Sequence, residues 1–383
     1  MVSYSTYMQI DLVSEQIITI ALLLEKITPG TAAEIWISDD LKQKLQKKAD
    51  AIKDPQILIN TTKQLIDEIK DDQRKIYLEE ILDSLVYQLN PANRQDSYAD
   101  FSRSTFGVKI ERVTEEEIAG LEAKIKKLEV RIGLSRQEVW HKYHLEKDEL
   151  LPHLARHIET ITSKLPSYLF NFPDEGVALK LTNNKPWGAF NSHTNPYKSE
   201  ITLNTDVGLT DLDLCRLACH EVCAGHHTEL SNKDQMLTML QRGEHGIVIT
   251  FSPQTFVSEA IAESMFDLLG ILDENDDEMM IGWYYDRLIF ALQNLATHLY
   301  FDDRLTREEI DAKFSGYAIS DLSRKNILNF SCDPVFGRYA PVYHAGYHFL
   351  KDLYEKTTQK ERLIKTLFSQ PCTPTLLMKE FNS

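Results

Sequence analysis

The sequence predicts a mainly α fold with one small β element, and two patterns in its 383 residues lead to this prediction. Apolar residues recur at spacings of three and four over most of the chain, which is typical of amphipathic helices. Between residues 166 and 208 the pattern changes to short β-like runs separated by prolines and glycines. This β element comes directly before the segment that is richest in potential metal ligands.

The first 165 residues are predicted to be helical. Apolar side chains at helical spacing indicate helices over residues 12–27, 41–52 and 65–89. Each of these segments is followed by a proline, which cannot continue a helix. Residues 91–113 are polar and irregular, and they are predicted to form a loop.

A capping box predicts the next helix. Thr114 and Glu117 place a hydroxyl and a carboxylate three residues apart, the pattern that closes the start of a helix, and an apolar stripe continues to Ile132. The stripe lasts only about two heptads, which favours an ordinary packed helix over a coiled coil. A further helix is predicted from Ser135 to Lys164.

Short β-like runs follow at Val177–Leu181 and Ile201–Asn204, and they indicate a small sheet or hairpin. After Thr210 the helical pattern returns and continues almost to the end of the sequence. Two descriptions of the domain organisation fit this order of elements. The chain forms either an N-terminal lobe, 1–165, packed closely against a second lobe, 166–383, or one domain.

The composition is that of a globular protein whose surface would repel long polyanions. The formal net charge is 42 − 58 = −16, so nucleic acid is not an expected partner. Five cysteines, an odd number, favour a reducing cytoplasm over a disulfide framework. The apolar run Ile17–Leu24 is much shorter than the roughly 20 residues of a membrane span, so no membrane partner is expected.

Residues 215–229 carry the most specific chemical signal. The pattern H-E-x-x-x-G-H-H runs from His220 to His227 and includes Glu221. In the related motif H-E-x-x-H, two histidines one helical turn apart bind zinc, and the glutamate acts as general base. Here Ala224 stands at the position of the second histidine of that motif, so the simple motif is not present.

A regular helix would bring neither of the later histidines beside His220. At about 1.5 Å of rise per residue, His227 lies ~10 Å along the helix axis, and His226 points about a third of a turn aside. Gly225 permits the helix to loosen locally, and π-type bulges are frequent at functional sites. We therefore expect His220 and His226 to bind a metal, with His227 as the alternative ligand.

The third ligand is expected from the segment Ser258–Ser264. Glu259 and Glu263 lie four residues apart, on one face of a predicted helix. Glu259 is predicted to bind the metal, and Glu263 is predicted to accept a hydrogen bond from a ligating imidazole. Three protein ligands leave one position for water, whose pKa zinc lowers toward about 7, and Glu221 is predicted to take the proton.

The block His220–Glu229 resembles an uncharacterised bacterial family with the motif H-E-x-x-P-G-H-H followed by a Glu-x-x-x-Glu helix, which is itself similar to zinc peptidases. Ser258–Ile261 resembles the third-ligand helix of gluzincins of the thermolysin type. A tyrosine-rich segment also recurs downstream in the family, and here it is Tyr343–Tyr347.

The resemblance covers roughly residues 185–350 and extends only loosely to the N-terminal helices. The sequence departs from the family at two positions, because Ala224 replaces the usual proline and Ala260 replaces the usual glycine after the third-ligand glutamate. The resemblance implies a helical, metallopeptidase-like architecture and Zn²⁺ as the cofactor. It also favours Tyr343 as a hydrogen-bond donor to the oxyanion of the reaction, with packing of a C-terminal helix as the alternative.

Several other residues have both a functional and a structural interpretation. Trp187–Asn191 is expected either to pair with an extended substrate or to form an ordinary surface hairpin. Three cysteines at helical spacing are interpreted as small core residues, with a Cys/His metal site as the alternative: Cys215, Cys219 and Cys223. Four histidines, for which no matching acid is visible, are expected at the surface or lining the site: His141, His144, His153 and His157.

Together these patterns predict a zinc-dependent hydrolase, specifically a peptidase, that acts on a peptide or a small amide. Two alternatives stay open at this point. One is a zinc amidase or another hydrolase of non-peptide bonds, because the motif defines the metal-water chemistry and not the acyl group. The other is a non-enzymatic helical protein with a structural metal site, in which a closed ligand set would replace the open position. The oligomeric state is not predicted.

Overall fold

The computed structural model describes residues 9–169, 175–185, 187–195 and 197–382. Within these ranges the chain is mainly α-helical with two small sheets, so the predicted fold class is confirmed. Three prolines of the predicted β region lie outside the described residues: Pro173, Pro186 and Pro196. No helix in the described ranges combines the length and the apolar character needed to cross a bilayer.

The first half of the chain contains helices and one short strand before the three-stranded sheet. These elements are α1 (Leu12–Ile27), β1 (Ala32–Ile35), α2 (Asp39–Ala51), α3 (Pro55–Asp67), α4 (Asp72–Leu89), α5 (Tyr98–Phe106), α6 (Glu115–Ile132), α7 (Arg136–Tyr143) and α8 (Leu150–Thr162).

Three predictions in this half are wrong because local capping decides the helix boundaries. The predicted helix 65–89 is divided, since α3 ends at Asp67 and α4 begins behind the Asp71 N-cap. Residues 91–113 are not all loop, since α5 begins behind the Ser97 N-cap and buries Tyr98 and Phe106 completely. The predicted helix 135–164 is interrupted between α7 and α8. There the Leu145 N–H donates a hydrogen bond to the Leu209 carbonyl at 3.2 Å, which ties the connection to the start of the next helical region.

The predicted sheet is present and has three strands. They are β2 (Gly176–Thr182), β3 (Ala189–Asn195) and β4 (Lys198–Asn204), in the order β2-β4-β3. Strand β4 is central, parallel to β2 and antiparallel to β3. Ile201 and Leu203 on β4 are completely buried, whereas β3 lies at one edge of the sheet.

The second half is helical apart from one strand. Its elements are α9 (Asp211–Ala218), a π-helical turn (Cys219–Cys223), α10 (His226–Leu240), β5 (Ile247–Ile249), α11 (Pro253–Leu268), α12 (Asp277–Phe301), α13 (Arg307–Phe314), α14 (Asp321–Ser331), α15 (Pro341–Lys356), α16 (Lys360–Ser369) and α17 (Pro374–Phe381).

The buried apolar side chains form two clusters. One is built mainly by α1–α4 and includes Ile247 and Ile249 of β5, which pairs with β1 in a sheet that the sequence did not predict. The other begins at Tyr98 and includes the core around α9, α11, α12 and α15. The division into lobes at residue 165 stays a prediction.

Helices α11 and α15 approach each other closely at Gly346. A Cβ atom at this position would lie 3.1 Å from the backbone nitrogen and Cα of Ala260 on α11. Glycine therefore permits α15 to lie directly against the helix that carries Glu259. This packing fixes the position of α15 relative to the predicted third metal ligand.

Replacing Gly346 by valine is expected to lower the free energy of unfolding by about 1–3 kcal/mol, because the new side chain would overlap the backbone of α11. Chemical denaturation followed by circular dichroism measures this change. Gly120 on α6 is the matched control, because a Cβ there meets no atom within 4 Å. Gly120→Val is expected to change stability by less than about 0.5 kcal/mol, and equal effects at both positions would contradict the close approach.

Candidate metal centre

The predicted loosening of the metal helix is present, and it begins earlier than expected. After α9 the helix widens to a π-helical turn at Cys219–Cys223, in which the Ala224 N–H donates a hydrogen bond to the Cys219 carbonyl at 3.3 Å. The helix then breaks at Ala224 and Gly225, and α10 starts at His226. The break changes the direction in which His226 points relative to His220.

Gly225 makes this break possible because its Cα lies against the backbone of the preceding turn. A Cβ on Gly225 would lie 1.6 Å from the carbonyl oxygen of His220. The Thr228 hydroxyl closes the turn by donating one hydrogen bond, shared between the carbonyls of Val222 at 2.8 Å and Cys223 at 3.2 Å. No other residue type fits at position 225 without moving the backbone of His220.

Three predicted ligands converge at this point. The Nε2 atoms of His220 and His226 each lie 3.7 Å from the Glu259 carboxylate, one facing Oε2 and the other Oε1. The two imidazole rings are nearly perpendicular, at 87°, with centroids 4.9 Å apart. Ligands at about 2.0–2.1 Å in a tetrahedral zinc site are about 3.4 Å from one another, so the two 3.7 Å separations are close to the spacing of ligands around one ion.

A second test of fit to a divalent cation concerns the two histidines with Glu221, which takes the place of Glu259 in the tightest group of donor atoms. Glu259 Oε2 and Glu221 Oε2 are buried and have no hydrogen-bond partner among the described atoms. Potential ligand atoms of His220, Glu221 and His226 all lie within 4.8 Å of one another. Two imidazoles and carboxylates form a donor set that zinc accepts, and a cation would satisfy the unpaired oxygens.

The charges of the acids also act on the imidazole of His226. Burial alone would lower its pKa, but Glu259, Glu221 and Glu229 raise the pKa of His226 to about 9. For the carboxyl group of Glu259, burial alone would raise the pKa, but the charge of His226 brings this pKa below its ordinary value. A proton and a metal ion would therefore compete for the same imidazole nitrogen.

His227 points away from this cluster. Its ring is completely buried, with Nδ1 2.8 Å from the Ser199 hydroxyl and Nε2 3.0 Å from a Glu175 carboxylate oxygen. These contacts hold the imidazole between α10 and the sheet. The structure thus brings His226, and not the alternative His227, beside His220 and Glu259.

Glu263 lies where it was predicted, behind His220. Its Oε1 atom is 3.1 Å from His220 Nδ1, and its Oε2 atom accepts a hydrogen bond from Arg287. Burial would raise the pKa of Glu263, but the charges of Arg287, His220 and Arg216 lower it far below its usual range. The carboxylate is therefore held ionised behind the His220 ring, but the angles at the 3.1 Å contact are not those of the predicted hydrogen bond.

A second acid, which the sequence analysis missed, orients His226. Ser258 on α11 lies 3.2 Å from His226 Nδ1, and its hydroxyl donates a hydrogen bond to Glu229. Lys233 donates a hydrogen bond to the other oxygen of Glu229. The ring nitrogen of His226 that faces away from Glu259 therefore has a hydrogen-bond partner, as is usual for zinc-binding histidines, whereas the corresponding nitrogen of His220 has a carboxylate oxygen at 3.1 Å without the angles of a hydrogen bond.

Glu221 is held by its backbone rather than by its side chain. The Asn191 side chain on β3 donates a hydrogen bond to the Glu221 carbonyl at 2.7 Å, which joins the sheet to the π-helical turn. Burial raises the pKa of Glu221, opposed in part by His220 and His226. The carboxylate faces the site, with Oε1 3.9 Å from His220 Nε2.

Three tyrosines of the C-terminal region have different surroundings. Tyr339, which the sequence analysis did not select, donates a hydrogen bond to Glu259 Oε1 at 2.7 Å. Tyr343 stacks on Phe290, and burial together with the charges of nearby acids, first among them Glu259, raises the pKa of Tyr343 well above its usual value. Tyr347 donates a hydrogen bond to Asp267 and is directed away from the site.

The cysteine stripe is a packing surface, as the structural interpretation expected. Cys219 and Cys223 are completely buried and, like the other three cysteines, are free thiols. The Cys223 thiol donates a hydrogen bond to the Ile158 carbonyl on α8 at 3.5 Å. Burial raises the pKa of Cys223 to about 12, so its thiol stays protonated.

The expectation that His153 and His157 lack an acid partner is wrong. Both rings contact Asp211 at the start of α9, with distances of 2.8 and 2.7 Å to its Oδ1 atom. Arg156 contacts the same oxygen at 3.0 Å. Asp211 lies 54 residues after His157 in the sequence, and the packing of α8 on α9 brings the two side chains together. The sequence alone therefore did not indicate this pair.

Replacing Gly225 by alanine is expected to lower the free energy of unfolding by about 3 kcal/mol or more, because the methyl group would overlap the His220 carbonyl. Denaturant titration followed by circular dichroism measures the loss. Gly188→Ala is the control, since a Cβ there meets only Val207, at 3.7 Å. A Gly225→Ala protein as stable as Gly188→Ala would rule out the close contact described above.

Comparison with known proteins identifies similar folds only. No family model and no curated protein matches the chain. One similar solved structure is titled "The crystal structure of the putative lipoprotein from Colwellia psychrerythraea", with a TM-score of 0.56 and 15% identity, covering 85% of this chain and 66% of that protein.

A second similar structure is described as that of "a putative lipoprotein of unknown function from Shewanella oneidensis". Its TM-score is 0.53 at 13% identity, and the match covers 94% of this chain and 69% of that protein. The chain therefore spans about two thirds of the length of the solved proteins that it matches. At these identities the likeness extends to the fold and no further.

Proposed function

We propose that the chain is a zinc-dependent hydrolase that cleaves peptide bonds, with His220, His226 and Glu259 as the metal ligands and Glu221 as the general base. One observation carries the proposal. Two imidazoles, that of the buried His220 and that of the partly buried His226, face the two oxygens of a single carboxylate at 3.7 Å each. Glu221 Oε2 has no hydrogen-bond partner within the described part of the chain, which supports its role as a reacting group beside an ion bound there.

The proposed roles follow from the surroundings of each side chain. Zinc, when bound, supplies a Lewis acid that activates water and polarises a substrate carbonyl. Glu221 accepts the proton of the attacking water, and its raised pKa makes it a stronger base than an exposed carboxylate. It then delivers that proton to the leaving amine. Glu263 and Ser258 keep the two imidazoles in the orientation that leaves Nε2 available.

The two tyrosines near Glu259 have separate roles in this proposal. The Tyr339 hydroxyl donates to Glu259 Oε1, so it positions a ligand. Burial, together with the charges of Glu259, Glu263 and Glu221, raises the pKa of Tyr343, so the phenol stays neutral and can donate a hydrogen bond at physiological pH. We assign to Tyr343 the stabilisation of the oxyanion.

An extended peptide is the substrate that the surroundings of the site favour. Strand β3 is an edge strand, and Asn191 joins it directly to the Glu221 carbonyl. A peptide that pairs with this edge would run along the metal site with its backbone amides hydrogen-bonded. Trp187 and Phe190 stack at 5.5 Å near the same edge, and Phe190 is 39% exposed, so apolar side chains of a substrate have a surface to contact.

The broader assignment combines the motif resemblance with this geometry. A gluzincin-like peptidase requires two histidines, a general base and a third acidic ligand on a later helix, and each has a counterpart in this chain. A small amide would undergo the same chemistry. A cytoplasmic location stays part of the proposal, because all five cysteines are free thiols.

Replacing Glu221 by glutamine is expected to leave zinc content unchanged and to lower the hydrolysis of a mixed peptide pool by about 10²–10⁴-fold. The amide cannot accept the proton, whereas the ligands remain intact. Metal analysis of the purified protein and mass spectrometry of the peptide products provide the two measurements. Glu159→Gln is the matched control, because Glu159 is exposed on α8.

Two outcomes would overturn this assignment. Wild type that binds zinc and cleaves the pool no faster than Glu221→Gln would leave a metal site without the proposed chemistry. Loss of zinc in Glu221→Gln would make Glu221 a ligand instead of a base.

The phenylalanine variants of Tyr339 and Tyr343 are expected to affect different measurements, zinc affinity for Tyr339 and kcat for Tyr343. Tyr343→Phe should lower kcat by about 10²–10³-fold with little change in KM or zinc affinity, because it removes an oxyanion donor. Tyr339→Phe should weaken zinc binding by about 10–100-fold, because it removes a partner of a metal ligand. Zinc titration against a competing chelator and steady-state kinetics at saturating zinc separate the two effects. The reverse pattern would exchange the two roles.

A further inference from the structure

A second group of metal-binding side chains lies between the start of α6 and the middle of α15. Glu117 Oε1 is 3.2 Å from His344 Nε2 and 3.5 Å from His348 Nε2. The two histidines are four residues apart on α15, with ring centroids at 4.5 Å. One ligand atom from each of the three residues lies within 4.8 Å of the other two.

Glu117 departs from the role that its sequence position predicts. In a capping box the carboxylate at this position accepts a hydrogen bond from the N-cap backbone, and α7, α9 and α13 form such boxes completely. At the start of α6 only the Thr114 hydroxyl caps, accepting from the Glu117 N–H. The Glu117 carboxylate is directed instead at the two imidazoles of α15.

A histidine pair beside an acid elsewhere in the chain provides a useful contrast. His153 and His157 also meet one carboxylate, that of Asp211, but the Arg156 guanidinium contacts the same oxygen. A fixed positive charge at that oxygen repels a metal ion. Among the residues that the structure describes, the Glu117 carboxylate has two ion-pair partners, and both are imidazoles, which lose their protons when they bind a metal.

We propose that Glu117, His344 and His348 form a second site for a divalent transition metal, of which zinc fits the donor set best. Two imidazole nitrogens and one carboxylate oxygen are ligands that zinc accepts, and i, i+4 histidines on a helix face can share one ion. His344 is 11% exposed and His348 is 55% exposed, so the ion would be reached from solvent and would keep water as its remaining ligand.

This second site shares no residue with the proposed catalytic centre and does not depend on it. An ion there would join α6 to α15, the helix that carries Tyr343 and that lies against α11 at Gly346. The site therefore acts on the position of α15, and its effect is to hold α15 more rigidly against α11, the helix that carries Glu259. Its occupancy would stabilise the protein with no requirement for hydrolytic activity.

The test titrates chelator-treated, full-length protein with zinc at pH 7.5 and measures bound metal by equilibrium dialysis with elemental analysis. The double variant H344A/H348A is expected to bind about one zinc ion per chain fewer than wild type. The double variant H153A/H157A is the matched control, because it removes the same number of histidines at the same spacing, and it should bind as much zinc as wild type.

A His220→Ala background separates this site from the first one. In that background zinc is expected still to bind and to raise the melting temperature, and adding H344A/H348A should abolish both effects. Equal zinc stoichiometry in wild type and H344A/H348A, with both proteins folded by circular dichroism, would overturn the second site. A uniform loss of zinc in H344A/H348A and H153A/H157A would also overturn it, because binding would then follow histidine number alone.

Discussion

The contact between Gly225 and the carbonyl of His220 is the constraint on which the candidate site depends. In a continuous helix, side chains six residues apart point in different directions. The π-helical turn and the break after it let the chain begin a new helix at His226, so that this imidazole turns back toward His220. Both rings then meet Glu259 on α11, a residue that no local interaction could bring there. One position without a Cβ therefore determines whether a ligand set exists.

The arrangement also requires several buried charges to be balanced. Glu221, Glu259 and Glu263 lie close together, and like charges at such distances oppose one another's ionisation. The protein offsets this by placing Arg287 on Glu263 and Lys233 on Glu229, behind the two histidines. These cations stand on the far side of the imidazoles from the metal position. The charge of Arg287 thus lowers the pKa of Glu263, which remains ionised behind His220.

Much of the fold and part of the candidate site could be predicted from the sequence. Helical periodicity predicted the fold class, and the spacing of His220, Glu259 and Glu263 indicated residues that the structure does bring together. The choice between His226 and His227 stayed open in the sequence, because it depends on a break that shifts the helix phase. The hydrogen bond from Tyr339 was invisible, since it joins Glu259 to a residue 80 positions away in the sequence. Helix α5 was missed because tertiary burial of its aromatic residues overrides a polar composition.

The cysteines beside the metal helix have a consequence for how this protein responds to thiol chemistry. Cys219 and Cys223 lie on the face that packs on α8, and burial raises their pKa values well above the ordinary range. Neutral, inaccessible thiols react slowly with peroxide and with alkylating reagents, and they compete weakly for soft metals. Labelling at these positions requires the helix to separate from its neighbour. The rate of such labelling would thus report the opening of the segment that holds His220, without any probe being introduced.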